Sequence, residues 1–294
     1  GRHGAGPPPA SAGMSAAWFI RHRCLAPGAL ILGVAVLAAI AAPLLAPYDP
    51  DQIDLLARLQ PPTPFHPAGT DEVGRDILSR LLYGARASLG VGFGIVAIGA
   101  SFGSALGLYS GYVRGPFDAI AMRALDAVMA LPGLVVALAL TAALGPSLIN
   151  AMLALGVLSI PQYARLSRSL ALGLRETGYV KVSRTMGASA WRQLCRNILP
   201  NAISPILIYA SGNLGAAILA SASLSFIGLG AQPPLPEWGA MINAARAHVL
   251  SDAWYPLFPG LCVLITVLVR LTLGHEKPLE GTEGTLLDAD QLEL

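Results

Sequence analysis

The feature that most constrains this sequence is a series of long stretches without a charged side chain. These stretches are residues 25–48, 87–113, 127–164, 203–229 and 253–269. A helix that crosses about 30 Å of hydrocarbon needs roughly 20 apolar residues, so nearly all of the stretches are long enough to span a membrane. Only 12% of the residues are charged, about half the share of a soluble domain. The sequence therefore predicts an integral membrane protein.

One of these stretches is too long for a single crossing. Residues 127–164 contain Gly145 and Pro146 near their middle. This pair interrupts a helix, because glycine frees the backbone and proline removes a hydrogen-bond donor. We therefore predict two helices here and an all-α integral membrane protein with six transmembrane helices. A cleaved secretory signal is the alternative for the first stretch, but its apolar core would be only about 7 to 15 residues long, which favours a retained helix.

The distribution of basic residues predicts the orientation, because lysine and arginine collect in cytoplasmic loops. Residues 165–202 hold seven basic side chains and a single acid, Glu176. We place this loop in the cytoplasm, and with six crossings both termini are cytoplasmic too. The predicted organisation is a disordered segment at 1–17, a first helix with an external segment at 18–86, a five-helix core at 87–274 that includes the loop 165–202, and an acidic, disordered tail at 275–294.

Glycine recurs at every fourth residue of the second predicted helix. The four positions are Gly99, Gly103, Gly107 and Gly111. Residues at this spacing lie on one helix face, and stripes of small residues let helix backbones approach closely in lipid. The pattern predicts a helix-packing surface, either within this chain or against a partner.

Charged residues precede that helix at helical spacings. Asp71, Arg75, Asp76 and Arg80 allow ion pairs between residues four apart. Considered alone, this spacing predicts a short, self-supporting helix on the protein surface.

Several kinds of chemistry are disfavoured by the sequence. No ionisable residue lies deep inside a predicted span, whereas ion-driven carriers usually place such residues there. Neither Lys181 nor Lys277 follows the glycines of a phosphate-binding loop. The cysteines, Cys24, Cys195 and Cys262, lack metal-ligand spacing. We therefore expect no catalytic residue, cofactor or metal in this chain and no nucleic-acid partner, and an intramembrane hydrolase is the weakest alternative.

The basic loop predicts a helix, a turn and a second helix. Gly187 permits the turn, and Pro200 precedes re-entry into the membrane. A short basic amphipathic helix of this kind either lies on anionic lipid or inserts into a groove of a partner protein. The residue pattern leaves both possibilities open.

The same loop resembles the coupling loop of binding-protein-dependent ABC importer permeases. Gly187 and the Leu199-Pro200 pair match that signature, although Lys181-Val182-Ser183 stands where the family usually has a glutamate and two alanines. Segments 69–89, 224–239 and 255–260 narrow the resemblance to the permease C component of dipeptide/oligopeptide importers. The chain after Arg270 departs from the family pattern.

This resemblance implies a type I ABC importer permease fold in the bacterial cytoplasmic membrane. It also implies three kinds of partner besides the lipid bilayer: a homologous permease subunit, two ATPase domains that hold ATP and Mg, and an extracytoplasmic peptide-binding protein that docks near residues 69–89. The residues expected to couple to the ATPases are Glu176, Tyr179, Val180, Ser183, Arg184, Gly187 and Ala188. Tyr179 and Val180 would supply an apolar knob, and Gly187 the turn.

The substrate is less constrained, because the predicted spans offer few polar groups. Asn213, Ser221 and Ser223 are the candidates for lining the pathway. The resemblance favours di- or oligopeptides, with nickel or glutathione as alternatives within the same family. A membrane scaffold that recruits a cytoplasmic protein through the basic loop is the alternative from a different class.

Overall fold

The computed structural model describes residues 30–273, and the regular elements in this range are helical, as predicted. The main helices are α1 (Leu30–Ile40), α2 (Ile77–Val113), α3 (Gly115–Met129), α4 (Gly133–Leu144), α5 (Leu148–Arg175), α6 (Gly178–Thr185), α7 (Ala190–Ile227), α8 (Trp238–Ala245) and α9 (Trp254–Leu273). Short helical turns occur at Ala42–Leu45, Leu55–Ala57 and Arg246–His248. The segments predicted to be disordered, 1–17 and 275–294, lie outside the described residues.

Two helices are long and apolar enough to cross a membrane by themselves. α2 has 37 residues and α7 has 38, and at about 1.5 Å per residue each is roughly 55 Å long, well beyond the hydrocarbon thickness of about 30 Å. α3 and α4 together also qualify, but they are bent by 87°. α1 and α9 are also apolar, but their apolar segments, Leu30–Ile40 and Trp254–Leu268, are only 10–17 residues long. The described residues thus hold two such helices, or three if the bent pair is one span, and the count of six remains a prediction.

The break predicted near the middle of the long apolar run is present. α4 ends at Leu144, and Gly145 follows with φ of +91°. The side-chain amide of Asn150 donates hydrogen bonds of 3.0 Å to the carbonyl groups of Leu144 and Gly145. These bonds satisfy carbonyls that the end of a helix leaves without partners.

The start of the third helix was predicted wrongly. We expected a charge-free helix from residue 127, whereas α3 already begins at Gly115 and carries Asp118 and Asp126. Its apolar end is separated from α4 by the 87° bend at residues 130–132. Pro132 explains the interruption, because proline cannot donate the backbone hydrogen bond that would continue α3.

The glycine stripe packs α2 against α5 of the same chain. A Cβ atom added at Gly103 would lie 2.6 Å from the carbonyl oxygen of Ile160, and one added at Gly111 would lie 2.6 Å from that of Arg168. A Cβ atom added at Gly107 would meet the backbone of Ala164, and one added at Gly99 would meet the side chains of Ser159 and Tyr163. Backbone contact this close is possible only for glycine, so the stripe holds two helices of one subunit together.

α7 packs against α2 and supports the two helices that follow it. A Cβ atom added at Gly92 of α2 would touch the side chain of Ile218, and one added at Gly239 of α8 would strike the backbone of Ala222. The large buried side chains at this junction include Ile77, Leu81, Leu214, Ile218, Trp238 and Tyr255. α2 is therefore fixed between α5 and the group formed by α7, α8 and α9.

The segment before α2 is a compact loop instead of the predicted surface helix. Gly74 has φ of +82°, and α2 begins only after Asp76, whose carboxylate caps it. The predicted ion pair between Asp71 and Arg75 is present at 2.6 Å. The Asp71 carboxylate also accepts hydrogen bonds from two backbone N–H groups of the loop. The pair of Asp71 and Arg75 therefore stabilises a turn and not a helix.

Arg80, in the first turn of α2, connects two segments that are far apart in the sequence. Its guanidinium donates to the carbonyl oxygen of Pro50 at 2.8 Å and to that of Pro234 at 3.1 Å. It also pairs with Asp51 at 3.1 Å. Arg80 is buried, so it holds the loop before α2 and the loop before α8 together.

Candidate coupling surface and translocation cavity

The short helix α6 contains most of the predicted coupling residues. Only two residues separate it from α5. Gly187 follows its C-terminus with φ of +84°, and the Gly187 N–H donates to the carbonyl of Arg184 at 3.0 Å. The N–H of Ala188 donates to the carbonyl of Ser183 at 3.2 Å. This is a Schellman motif, in which a left-handed residue ends a helix, and it turns the chain towards α7.

The exposed side of α6 is apolar at its centre. Tyr179 is 48% exposed, Val182 58% and Met186 82%. Val180 is only 1% exposed, because it faces the interior of this subunit. The prediction that Val180 forms part of an exposed apolar knob was therefore wrong. The exposed apolar surface consists of Tyr179, as predicted, together with Val182 and Met186.

The predicted polar residues in and next to α6 divide into exposed and internal ones. Arg184 is exposed, and Glu176 is exposed but pairs with Lys181 at 3.1 Å. The hydrogen bond from Lys181 lowers the pKa of the Glu176 carboxyl. Ser183 faces inward and accepts a hydrogen bond of 3.2 Å from Asn197 of α7. Ser183 thus attaches α6 to α7, while Arg184 and Glu176 remain accessible to a partner.

Two arginines assigned to the basic loop lie instead within α5 and pair with acids of α3. Arg168 makes two hydrogen bonds to Asp118, of 2.6 Å and 2.7 Å. Arg165 pairs with Asp126 at 2.5 Å. The sequence prediction counted these arginines as unopposed, because the acids are about 40 to 50 residues away along the chain. In the folded subunit they fix the amphipathic helix α3 against α5.

These two pairs allow a matched prediction. The Asp118 side chain is 10% exposed, so Arg168→Leu leaves a largely buried carboxylate without its partner and should lower the free energy of unfolding by about 2 to 3 kcal/mol. In the second pair the side chains are 48% and 58% exposed, and Arg165→Leu should cost less than about 1 kcal/mol. Denaturant titration of the purified complex tests this, and equal losses in the two variants would contradict it.

A cavity of about 260 Å³ lies between α2, α4, α5 and α7. Its walls are apolar apart from four polar side chains, those of Ser159, Gln162, Tyr163 and Asn213. The cavity lies at the middle of α2, where Ile95 and Val96 line it, and in the second half of α7, where Ala216 and Ala220 line it.

The three residues predicted to line the pathway do not come together. Asn213 lines the cavity. Ser221 is buried, and Ser223 donates to the carbonyl of Leu219 one turn earlier, so neither serine is among the lining residues. Across residues 30–273, no three His, Cys, Asp or Glu side chains are close enough to hold a metal ion.

The sequence prediction missed the polar side chains of α5. Ser159, Gln162 and Tyr163 stand in a run that was treated only as apolar. Their spacing of three and four residues places them on one helix face. This spacing is the signal that could have identified them.

Two protein-family models match this chain. Residues 103–274 match the family model of the binding-protein-dependent transport system inner membrane component, and residues 16–62 match the N-terminal transmembrane domain of oligopeptide transport permease C. The first match covers more than half of the chain.

Several curated relatives are similar over most of their length. The probable D,D-dipeptide transport system permease protein DdpC of Escherichia coli is 46% identical, over 87% of this chain and 86% of the relative. The glutathione transport system permease protein GsiD of Pectobacterium atrosepticum is 40% identical, over 87% and 85%. The dipeptide transport system permease protein DppC of Haemophilus influenzae is 39% identical, over 87% and 89%. This chain therefore belongs to the family of inner-membrane components of bacterial binding-protein-dependent transport systems.

Proposed function

We propose that this chain is a permease subunit of an ATP-driven bacterial importer of di- and oligopeptides. The observation that carries the proposal is the α6 surface, a short helix with exposed apolar and basic side chains, in a chain that belongs to an importer family. Relatives named as D,D-dipeptide and dipeptide permeases support peptides as the substrate class. The glutathione relative makes glutathione the second candidate.

In this proposal the chain crosses the membrane six times and has both termini in the cytoplasm. It forms half of the pathway together with a homologous permease subunit. Two ATPase domains bind ATP and Mg and contact α6, while this chain contributes no catalytic group. A peptide-binding protein docks on the opposite side, on the external surface that Arg80 holds together.

The connections of α6 suggest how a displacement there reaches the pathway. Two residues connect α6 to α5, and the hydrogen bond between Asn197 and Ser183 attaches it to α7. Arg175, at the end of α5, also donates to the carbonyl of Tyr112 in α2 at 2.7 Å. A push on α6 by closing ATPase domains would thus act on three helices that line the cavity. Rocking of these helices would expose the pathway alternately to each side.

Uptake by the assembled complex tests the proposed function. Vesicles that contain this subunit, its partner permease, the ATPases and the binding protein should accumulate a labelled dipeptide only when ATP is supplied on the α6 side. Glutathione and nickel serve as competing substrates in parallel vesicles. Accumulation of either in preference to dipeptides would overturn the peptide assignment, and the absence of any ATP-dependent accumulation would favour a scaffold.

A further inference from the structure

An open groove of about 450 Å³ lies between α2 and α7, separate from the cavity that Asn213 lines. Residues 97–109 of α2 form one wall, and residues 191–207 of α7 form the other. The exposed lining residues recur at every fourth position along each wall, for example at Ala97 and Ser101. The groove therefore follows the two helices, and at about 1.5 Å per residue it is roughly 20 Å long.

The inside of the groove is apolar. Its buried floor includes Leu108, Leu194 and Ile206, and no charged side chain lines it within residues 30–273. The hydroxyl of Ser101 donates to the carbonyl of Ala97 in its own helix. A dry apolar cavity of about 150 Å³ holds one benzene ring, so this groove has room for about three times as many carbon atoms, which is close to one lipid acyl chain.

The groove crosses the boundary between a charged and a charge-free part of α7. Arg192 and Arg196 lie in the first turns of this helix, whereas Leu199–Ile227 contains no charged residue. Trp191 lines the groove on the charged side of the boundary and is 73% exposed. Tryptophan is typical of the interface between membrane and water. One end of the groove therefore lies at the level of the lipid headgroups, and the rest extends into the hydrocarbon.

The two arginines stand beside this end of the groove. Arg192 and Arg196 are exposed, and each directly follows a lining residue. Neither has an ion-pair partner in the described part of the chain, and α7 contains no acid. Like charges four residues apart on a helix repel each other. A phosphate group bound to both would remove this repulsion, and arginine matches phosphate geometry well.

We infer that this groove binds one anionic phospholipid, with an acyl chain between α2 and α7 and the headgroup phosphate at Arg192 and Arg196. The volume of the groove, its apolar lining and the charges at one end all match such a molecule. A helix of a partner subunit fits less well, because a helix with its side chains is about 10 to 12 Å wide and cannot enter a groove of this volume and length. The inference goes beyond the proposed function and does not depend on what is transported.

Photolabelling in vesicles tests the lipid site. The assembled complex is reconstituted in phosphatidylcholine that contains a little phosphatidylglycerol with a photoreactive acyl chain, and the labelled residues are mapped by mass spectrometry. Labelling should concentrate on the two walls of the groove, and unlabelled phosphatidylglycerol should compete better than phosphatidylcholine. The double variant Arg192→Gln/Arg196→Gln should lower this labelling about tenfold. Arg123→Gln, at an exposed position of α3 outside the groove, should leave it unchanged.

Ala105→Trp provides an independent variant, because it fills the groove and keeps both arginines. It should remove most of the labelling, whereas Ala139→Trp, at an exposed position of α4 outside the groove, should not. The yield of assembled complex is measured for every variant. Equal labelling by photoreactive phosphatidylcholine, or undiminished labelling in the double arginine variant, would overturn the inference. Absence of labelling in the wild-type complex would indicate that a partner subunit covers the groove and would overturn it as well.

Discussion

Replacing Gly107 by leucine is expected to abolish accumulation of the folded subunit. Gly107 lies against the backbone of Ala164, and even a Cβ atom added at Gly107 would overlap the Ala164 carbonyl group. These atoms belong to the backbone of Ala164 and not to a flexible side chain, so α2 and α5 would have to separate. Gly107→Ala should already cost about 1 to 3 kcal/mol, and the larger side chain should prevent α2 and α5 from packing.

Gly90 offers a matched control on the same helix. It is exposed, and no atom lies within 4 Å of a Cβ added there. Gly90→Ala should change stability by less than about 1 kcal/mol, in the stabilising direction, because alanine favours helix. Yield of assembled complex and its resistance to denaturant measure both changes. A normal yield of Gly107→Leu, or equal damage from Gly90→Ala, would contradict the packing account.

The second large effect is expected for Gly187→Val, which should lower ATP-dependent uptake about five- to thirtyfold while the subunit still inserts and assembles. A Cβ at Gly187 meets no atom within 4 Å, but the φ of +84° is strained for any other residue. Such a conformation costs about 1 to 2 kcal/mol, and a difference of about 1.4 kcal/mol corresponds to a tenfold change. The turn after α6 should therefore shift and uncouple hydrolysis from transport.

Two further variants separate this backbone effect from the loss of a glycine. Gly178→Val lies in the first turn of the same helix, where a Cβ also meets no neighbour and the backbone is helical, so uptake should stay within about twofold of wild type. Gly187→Asn should recover part of the activity, because asparagine tolerates the left-handed conformation. Uptake and hydrolysis are measured in the same vesicles. Normal coupling in Gly187→Val would show that this turn does not transmit the signal.

Much of the fold was predictable because local signals dominate it. Gly145 and Gly187 mark backbone turns that other residues adopt only with strain, and both have positive φ in the structure. The glycine stripe predicted close packing from spacing alone. The helix that packs against the stripe could not be predicted. Glycine spacing shows that a helix face allows close approach, but it does not identify the neighbouring helix.

The missed features all depend on distant parts of the chain. Asp118 neutralises Arg168 from 50 residues away, and nothing near either residue indicates the other. Val180 was placed on the outer face because its burial depends on how α6 packs against its neighbours. The cavity arises only when α5 and α7 are side by side, so the sequence could indicate the polar face of α5 but not that it meets Asn213.

Cysteine crosslinking at the exposed end of α6 tests the central claim most directly. Met186→Cys, in a chain whose three native cysteines have been replaced, is compared with Leu250→Cys, a fully exposed position in the loop before α9. We predict that Met186→Cys crosslinks to an ATPase subunit with a yield that changes when ATP binds, and that Leu250→Cys does not. Labelling of Met186→Cys from outside the cell, or crosslinking only to lipid, would contradict the coupling role of α6.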